Sequence, residues 1–242
     1  MPDSEPPVVG ASSRTRVLVV SAFLVLYGNC MALLVGSATP VTGWPGAFLG
    51  VLLILLTLAW AFRVAYFTST DIGLNGRGML GSAGIGLLVA VATGVAALLF
   101  LRFPPLVSGP VVYAPVAGLT PVGLFTRVAV WMPLDTVLPE ELAFRGVLLA
   151  ELRRSTSELK AIVASAAVFT LWHVVIISRT LALTNLRTDP LLWGLGLAGA
   201  SAGVFAGGVL FAVLRTRTGH LAASVLAHWG FNTVLLVGLA AE

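Results

Sequence analysis

The chain has 242 residues, of which 58% are hydrophobic and 10% charged, with a mean hydropathy of +1.00. Soluble globular chains carry about 25% charged residues, so this composition excludes a water-soluble domain and calls for a lipid bilayer as the main solvent. The net charge of +4 does not make a nucleic-acid binder, because the arginines are scattered at the ends of apolar runs instead of gathered on one polar surface.

Residues 1–13, with Pro2, Pro6 and Pro7 among mixed charges, read as a short disordered tail. Arg14 and Arg16 then open an apolar run to about residue 36. It exceeds the roughly 7–15-residue core of a signal peptide and reads as the first membrane helix. Cys30 lies within it; as the single cysteine it excludes an intrachain disulfide and reads as a small core residue. Further spans are expected over 47–68 and 79–101, each long enough at about 1.5 Å per residue to cross a hydrocarbon core of about 30 Å. Their continuous apolar runs do not alternate, which excludes a membrane β-barrel.

From 102 to 122 the composition changes. Pro104, Pro105, Pro110, Pro115 and Pro121 predict an irregular connection that leaves room for partial re-entry into the membrane. The next element, from about 123, holds Arg127 and Asp135 and then the acidic run around Glu140; Pro133 and Pro139 predict a kink in it. It ends in a charged connection around Glu151, Arg153, Arg154, Glu158 and Lys160. Spans over 161–177, 190–214 and about 220–239 complete the chain. Gly199, Gly203 and Gly207 line one face of the sixth span, and their spacing of four predicts close helix approach within the chain, with homo-oligomerisation as the alternative. The basic residues concentrate on the side of Arg14 and Arg16, which places the N-terminus in the cytoplasm of a cell membrane by the positive-inside rule. The fold expected is therefore an all-α polytopic membrane bundle of about seven to eight transmembrane helices.

Charged side chains in such a chain are costly, roughly 2.5–3.5 kcal/mol each near the bilayer centre, and mark function or pairing. Glu141 and Arg145 are four apart and fall on one helical face as a charge-compensating pair, while Glu140 turns about 100° away toward chemistry. Phe169 and His173 share a face of the fifth span. His228 and Asn232 share a face of the last, setting a metal ligand or proton carrier beside an amide donor. His220, after RTRTG, reads as an interfacial or capping residue, and Trp131, Trp172, Trp193 and Trp229 as helix-contact fillers or interface anchors without a catalytic role.

EELAFR, FTLWH and HWGFN, matching EExxxR, FxxxH and HxxxN, follow one another on successive hydrophobic segments. In this the chain resembles the CPBP (Abi) family of intramembrane proteases, which includes the type II CAAX prenyl endopeptidases. The resemblance implies a catalytic membrane core over 123–242 behind N-terminal helices over 14–122, one integrated domain with a polar intramembrane cavity where Glu140, His173, His228 and Asn232 converge. It implies an endopeptidase acting on a prenylated or otherwise hydrophobic, membrane-associated peptide, with Glu140 as base, His173 positioning the water, and His228 with Asn232 stabilising the oxyanion. Glu141, Arg145 and Phe169 would support the site. Two chemistries stay open: a zinc ion held by Glu140, His173 and His228, or a metal-free glutamate-dependent reaction, the latter preferred because a fixed ligand makes a poor base. The competing classes are a non-catalytic membrane scaffold or immunity protein and a proton-coupled transporter, the last disfavoured by the lack of an internal repeat.

Overall fold

The computed structural model describes residues 10–35, 43–76, 78–104, 109–116 and 118–240. The helices are α1 (Gly10–Val35), α2 (Trp44–Ala59), α3 (Met79–Arg102), α4 (Pro121–Thr126), α5 (Leu138–Glu141), α6 (Leu149–Ser155), α7 (Glu158–Trp172), α8 (Val174–Leu181), α9 (Pro190–Thr218) and α10 (Leu221–Ala240). No strand occurs among the described residues. The disordered tail expected over 1–13 falls outside the described residues as far as 9, and helix begins at Gly10.

Five helical stretches among the described residues are long and apolar enough to cross a membrane, α2 being one together with its π-helical extension to Val64, and the bent pair α7–α8 makes six when taken as one span. The expectation of seven to eight also counted the acidic element. That element is helical throughout 121–155, but it is divided among α4, α5, α6 and π-helical stretches, the pieces being seven residues long at most. Large apolar side chains such as Leu26, Leu34, Leu80 and Leu88 are exposed, while Glu141, Arg145 and Glu151 are buried. This inversion of the soluble pattern is what a hydrocarbon solvent produces.

Caps set the ends of the long C-terminal helices. Asp189 accepts from the backbone N–H groups of Leu191 at 2.8 Å and Leu192 at 3.1 Å, with Pro190 at the first turn of α9. Gly219, at φ 71°, closes that helix in the left-handed conformation. His220 then accepts the Ala222 N–H on Nδ1 at 2.9 Å, so it caps α10, in line with its sequence reading.

α3 lies along α10, where Gly86 meets the Ala223 backbone and Gly230 meets Ala90. The close approach expected at Gly199, Gly203 and Gly207 does not occur. Nothing lies within 4 Å of a Cβ built at Gly199 or Gly203, and Gly207 reaches only Phe211 of its own helix. The spacing was right for a small-residue face, but that face of α9 points away from the described protein. Cys30 is likewise exposed instead of in the core, which an apolar thiol tolerates against lipid.

The main core gathers Val20 and Leu24 of α1, Leu53 of α2, Phe144 and Leu148, and Phe169 and Trp172 of α7. The acidic element is thus wrapped by α1, α2, α7, α9 and α10. At one end Arg16 of α1 holds the fully buried Glu151 at 3.2 Å, and Trp60 also donates to Glu151 at 3.3 Å. The loop after α2 is tied down at Ala65 by Arg154, which donates to its carbonyl at 2.7 Å, and at Asp71 by Arg215, which donates to its carbonyl at 3.0 Å. In the proline-rich connection, Tyr113 pairs with Thr184 as an isolated antiparallel bridge, and the Ala114 N–H donates to the Leu183 carbonyl at 3.0 Å.

Candidate active site

Two prolines shape the acidic element. Each lacks the N–H that would continue the i→i−4 ladder, and the helix responds with π-helical turns at Pro133–Val137 and Leu142–Leu148 on either side of α5. Pro139 stands in the first turn of α5, yet Val137 before it is already helical, at φ −70° and ψ −55°. The glutamates therefore do not sit at a free helix N-terminus, and their charge is compensated by side chains.

Glu140 and Glu141 part company. Glu140 is buried and turns to α7, where its Oε1 accepts the Trp172 Nε1–H at 3.3 Å and its Oε2 lies 3.7 Å from His173 Nε2. His173 Nδ1 is 2.8 Å from the Phe169 carbonyl. A carbonyl only accepts, so Nδ1 carries the proton, and in the neutral ring Nε2 presents a lone pair toward Glu140.

Glu141, fully buried, turns to α10. Its Oε1 receives Arg145 at 3.1 Å and lies 2.9 Å from His228 Nδ1. The Arg145 guanidinium stacks 4.1 Å from the Phe169 ring centroid and donates to the Gly208 carbonyl at 3.5 Å. Phe211 stacks on His228 at 5.1 Å. Phe169 also touches both histidine rings, with centroids 4.4 Å from His173 and 6.2 Å from His228, so its ring stands between them.

The structure thus brings together Glu140 with His173, and Glu141 with Arg145 and His228, around Phe169. Asn232, half-buried one turn beyond His228, makes no hydrogen bond among the described residues. Asp135 stands apart from this cluster, paired with Arg127. An apolar groove of about 220 Å³ between the acidic element and α10 is lined by Pro133, Val137, Leu138, Val225, Leu226 and Trp229, and by none of the four proposed catalytic residues.

Sequence reasoning passed over two contributors. Trp172, taken as a contact filler, donates to Glu140; its position immediately before His173 was the available signal. Asn29 of α1, which contacts the backbone on both sides of His173, had no signal beyond being an amide in an apolar run.

The residues that a zinc centre would draw on here are Glu140, His173 and His228. Among the described residues no three His, Cys, Asp or Glu side chains converge as a metal-binding group. His228 directs Nδ1 to Glu141, which leaves Nε2 as its remaining ring nitrogen.

No curated protein and no solved structure matches the chain. A family model described as Type II CAAX prenyl endopeptidase Rce1-like matches residues 118–234, nearly half of the chain. That stretch contains Glu140, Glu141, Arg145, Phe169, His173, His228 and Asn232. The stretch from 118 to 234 is therefore similar to the Rce1-like family of type II CAAX prenyl endopeptidases, and this similarity points to a CAAX-type intramembrane protease.

Proposed function

We propose that the protein hydrolyses a peptide bond in a prenylated or otherwise hydrophobic, membrane-associated peptide by metal-free, glutamate-dependent chemistry. The observation that carries this reading is the facing pair of Glu140 Oε2 and His173 Nε2, 3.7 Å apart. Two acceptors at that separation can each take one hydrogen of a single water, which orients its oxygen lone pair outward for attack.

In the reaction, the water oxygen bonds to the scissile carbonyl carbon while Glu140 takes the water's proton, with His173 holding the second hydrogen. The carbonyl becomes a tetrahedral oxyanion, stabilised by His228 through Nε2 and by the Asn232 amide. Glu140 then returns the proton to the leaving amine as the C–N bond breaks. Because His228 Nδ1 faces Glu141, Nε2 donates to the oxyanion only when the ring holds both protons. The bilayer places the active face toward lipid-anchored substrates, with the N-terminus in the cytoplasm.

The test is cleavage of a panel of prenylated and unprenylated peptides by purified protein, wild type against Glu140→Gln, with and without chelator. Cleavage that survives chelation and is lost in Glu140→Gln supports the proposal. Cleavage abolished by chelator and restored by zinc overturns the metal-free chemistry. An active Glu140→Gln overturns Glu140 as the base.

A further inference from the structure

The helix that carries His173 is broken at that residue: α7 and α8 meet at 49°. The surrounding sequence, FTLWHVVI, holds no proline or glycine to explain a break. Its cause is a side chain inserted from α1. In an unbroken helix the Val175 N–H would donate to the Leu171 carbonyl. Here the Asn29 amide stands between them: Nδ2 donates to the Leu171 carbonyl at 2.9 Å, and Oδ1 accepts the Val175 N–H at 3.0 Å. Both halves of one lost backbone bond are satisfied by one amide, which is a recognised way to kink a helix without leaving orphaned polar groups.

The two residues before Asn29 hold Trp172. Tyr27 stacks on the indole at 6.1 Å and 17° and is itself fixed by donating its hydroxyl to the Leu49 carbonyl at 2.6 Å. Gly28 lies directly against the indole, where any Cβ would overlap the ring. Phe144 closes the other side edge-on at 5.5 Å. The indole is left one orientation, and in it Nε1 donates to Glu140.

We propose that Tyr27, Gly28 and Asn29 of α1 form a positioning element for the reaction, Asn29 setting the bend that presents His173 and Tyr27 with Gly28 seating Trp172 so that its N–H aims Glu140. None of these three residues lies in the family-matched stretch. The proposal rests on the reading of Glu140 and His173 as the water-activating pair. Asn29 and Trp172 act through that pair and touch no substrate.

Two measurements on the full-length protein in detergent test it. The first is steady-state cleavage of the best-cleaved peptide of the panel by Asn29→Leu, Gly28→Ala and Trp172→Phe. Misplacing a base and its water lowers turnover without touching substrate binding, so kcat falls about tenfold or more while KM stays within about twofold. The Gly28→Ala and Trp172→Phe losses are also non-additive, because both act on one ring. The second needs no activity: with ¹⁵N-labelled tryptophan, the indole signal absent from Trp172→Phe identifies Trp172. That signal shifts in Glu140→Gln, Gly28→Ala and Asn29→Leu.

A Trp172 signal unmoved by Glu140→Gln overturns the proposal, as does wild-type kcat in Asn29→Leu and Gly28→Ala alongside an inactive Glu140→Gln. In that last case Glu140 stands as the base and only the role of α1 falls. Full cleavage by Glu140→Gln removes the underlying reading and the proposal with it.

Discussion

His228 reaches Glu141 and not Glu140: its Nδ1 lies 2.9 Å from Glu141 Oε1, the same oxygen that Arg145 holds at 3.1 Å. The two adjacent glutamates therefore serve different helices. Glu141 is the hub through which α10 and the acidic element are joined, with all three partners buried.

Removing that hub unfolds more than it inactivates. Glu141→Ala leaves the Arg145 guanidinium buried without its counter-charge, a change that costs about 3–5 kcal/mol. The expected outcome is a large drop in the thermal unfolding midpoint in detergent, with loss of folded yield. Glu141→Gln falls between this variant and wild type, because it keeps an acceptor for Arg145.

Glu140→Gln behaves in the opposite way. Glu140 makes no salt bridge to Arg145, and the amide keeps an oxygen for the Trp172 N–H. The unfolding midpoint stays near that of wild type, while cleavage falls on the order of 10²–10⁴-fold, the range for loss of a general base. Paired melting and kinetic measurements on one preparation check both halves.

Glycine substitutions should separate the packed face from the open one. Gly86→Ala pushes a methyl group into the Ala223 backbone between α3 and α10, and overpacking of this kind costs about 1–3 kcal/mol. Gly199→Ala meets nothing within 4 Å and changes stability by less than about 0.5 kcal/mol. Thermal melts of the two variants give the comparison.

Asp71 contributes a pH-dependent increment. The Thr68 backbone N–H, at 2.7 Å, holds its carboxyl below the ordinary value of 3.8. The Thr68 hydroxyl at 2.8 Å and the charges of Arg154 and Arg215 act in the same direction, against an opposing effect of burial that is second in size only to the Thr68 N–H. A carboxyl depressed in the folded state stabilises above its unfolded value and loses that contribution as pH falls through the folded one. The difference in melting temperature between wild type and Asp71→Asn is therefore constant above about pH 4–5 and shrinks below it. A difference that grows on acidification would contradict this.

Much of the architecture was legible because charge is so rare in this chain. Glu140, Glu141 and Arg145 stood out against apolar sequence, and the i, i+4 relation of Glu141 to Arg145 correctly gave their ion pair. The cap at His220 was equally local and was read from its position at a membrane edge. The bend at His173 was not legible, since its cause is an amide 144 positions earlier and no breaker residue marks it. The glycine face of α9 misled because spacing reports that a helix has a flat side, not which neighbour meets it. The partition of the two glutamates between α7 and α10 depends on tertiary packing, so helical angle alone could suggest that they diverge but not to whom.

The core that joins Val20, Leu24 and Leu53 to Phe144 and Phe169 has a consequence for dissecting the protein. A fragment cut out at Gly118 would keep every residue of the three motifs and still lose the inner lining of its own interior. It would also lose the amide that mends the helix at His173 and the charge that answers Glu151. The motif-bearing half is not a transplantable module: grafted alone into another membrane protein, it would carry the reactive groups without the scaffold that orients them.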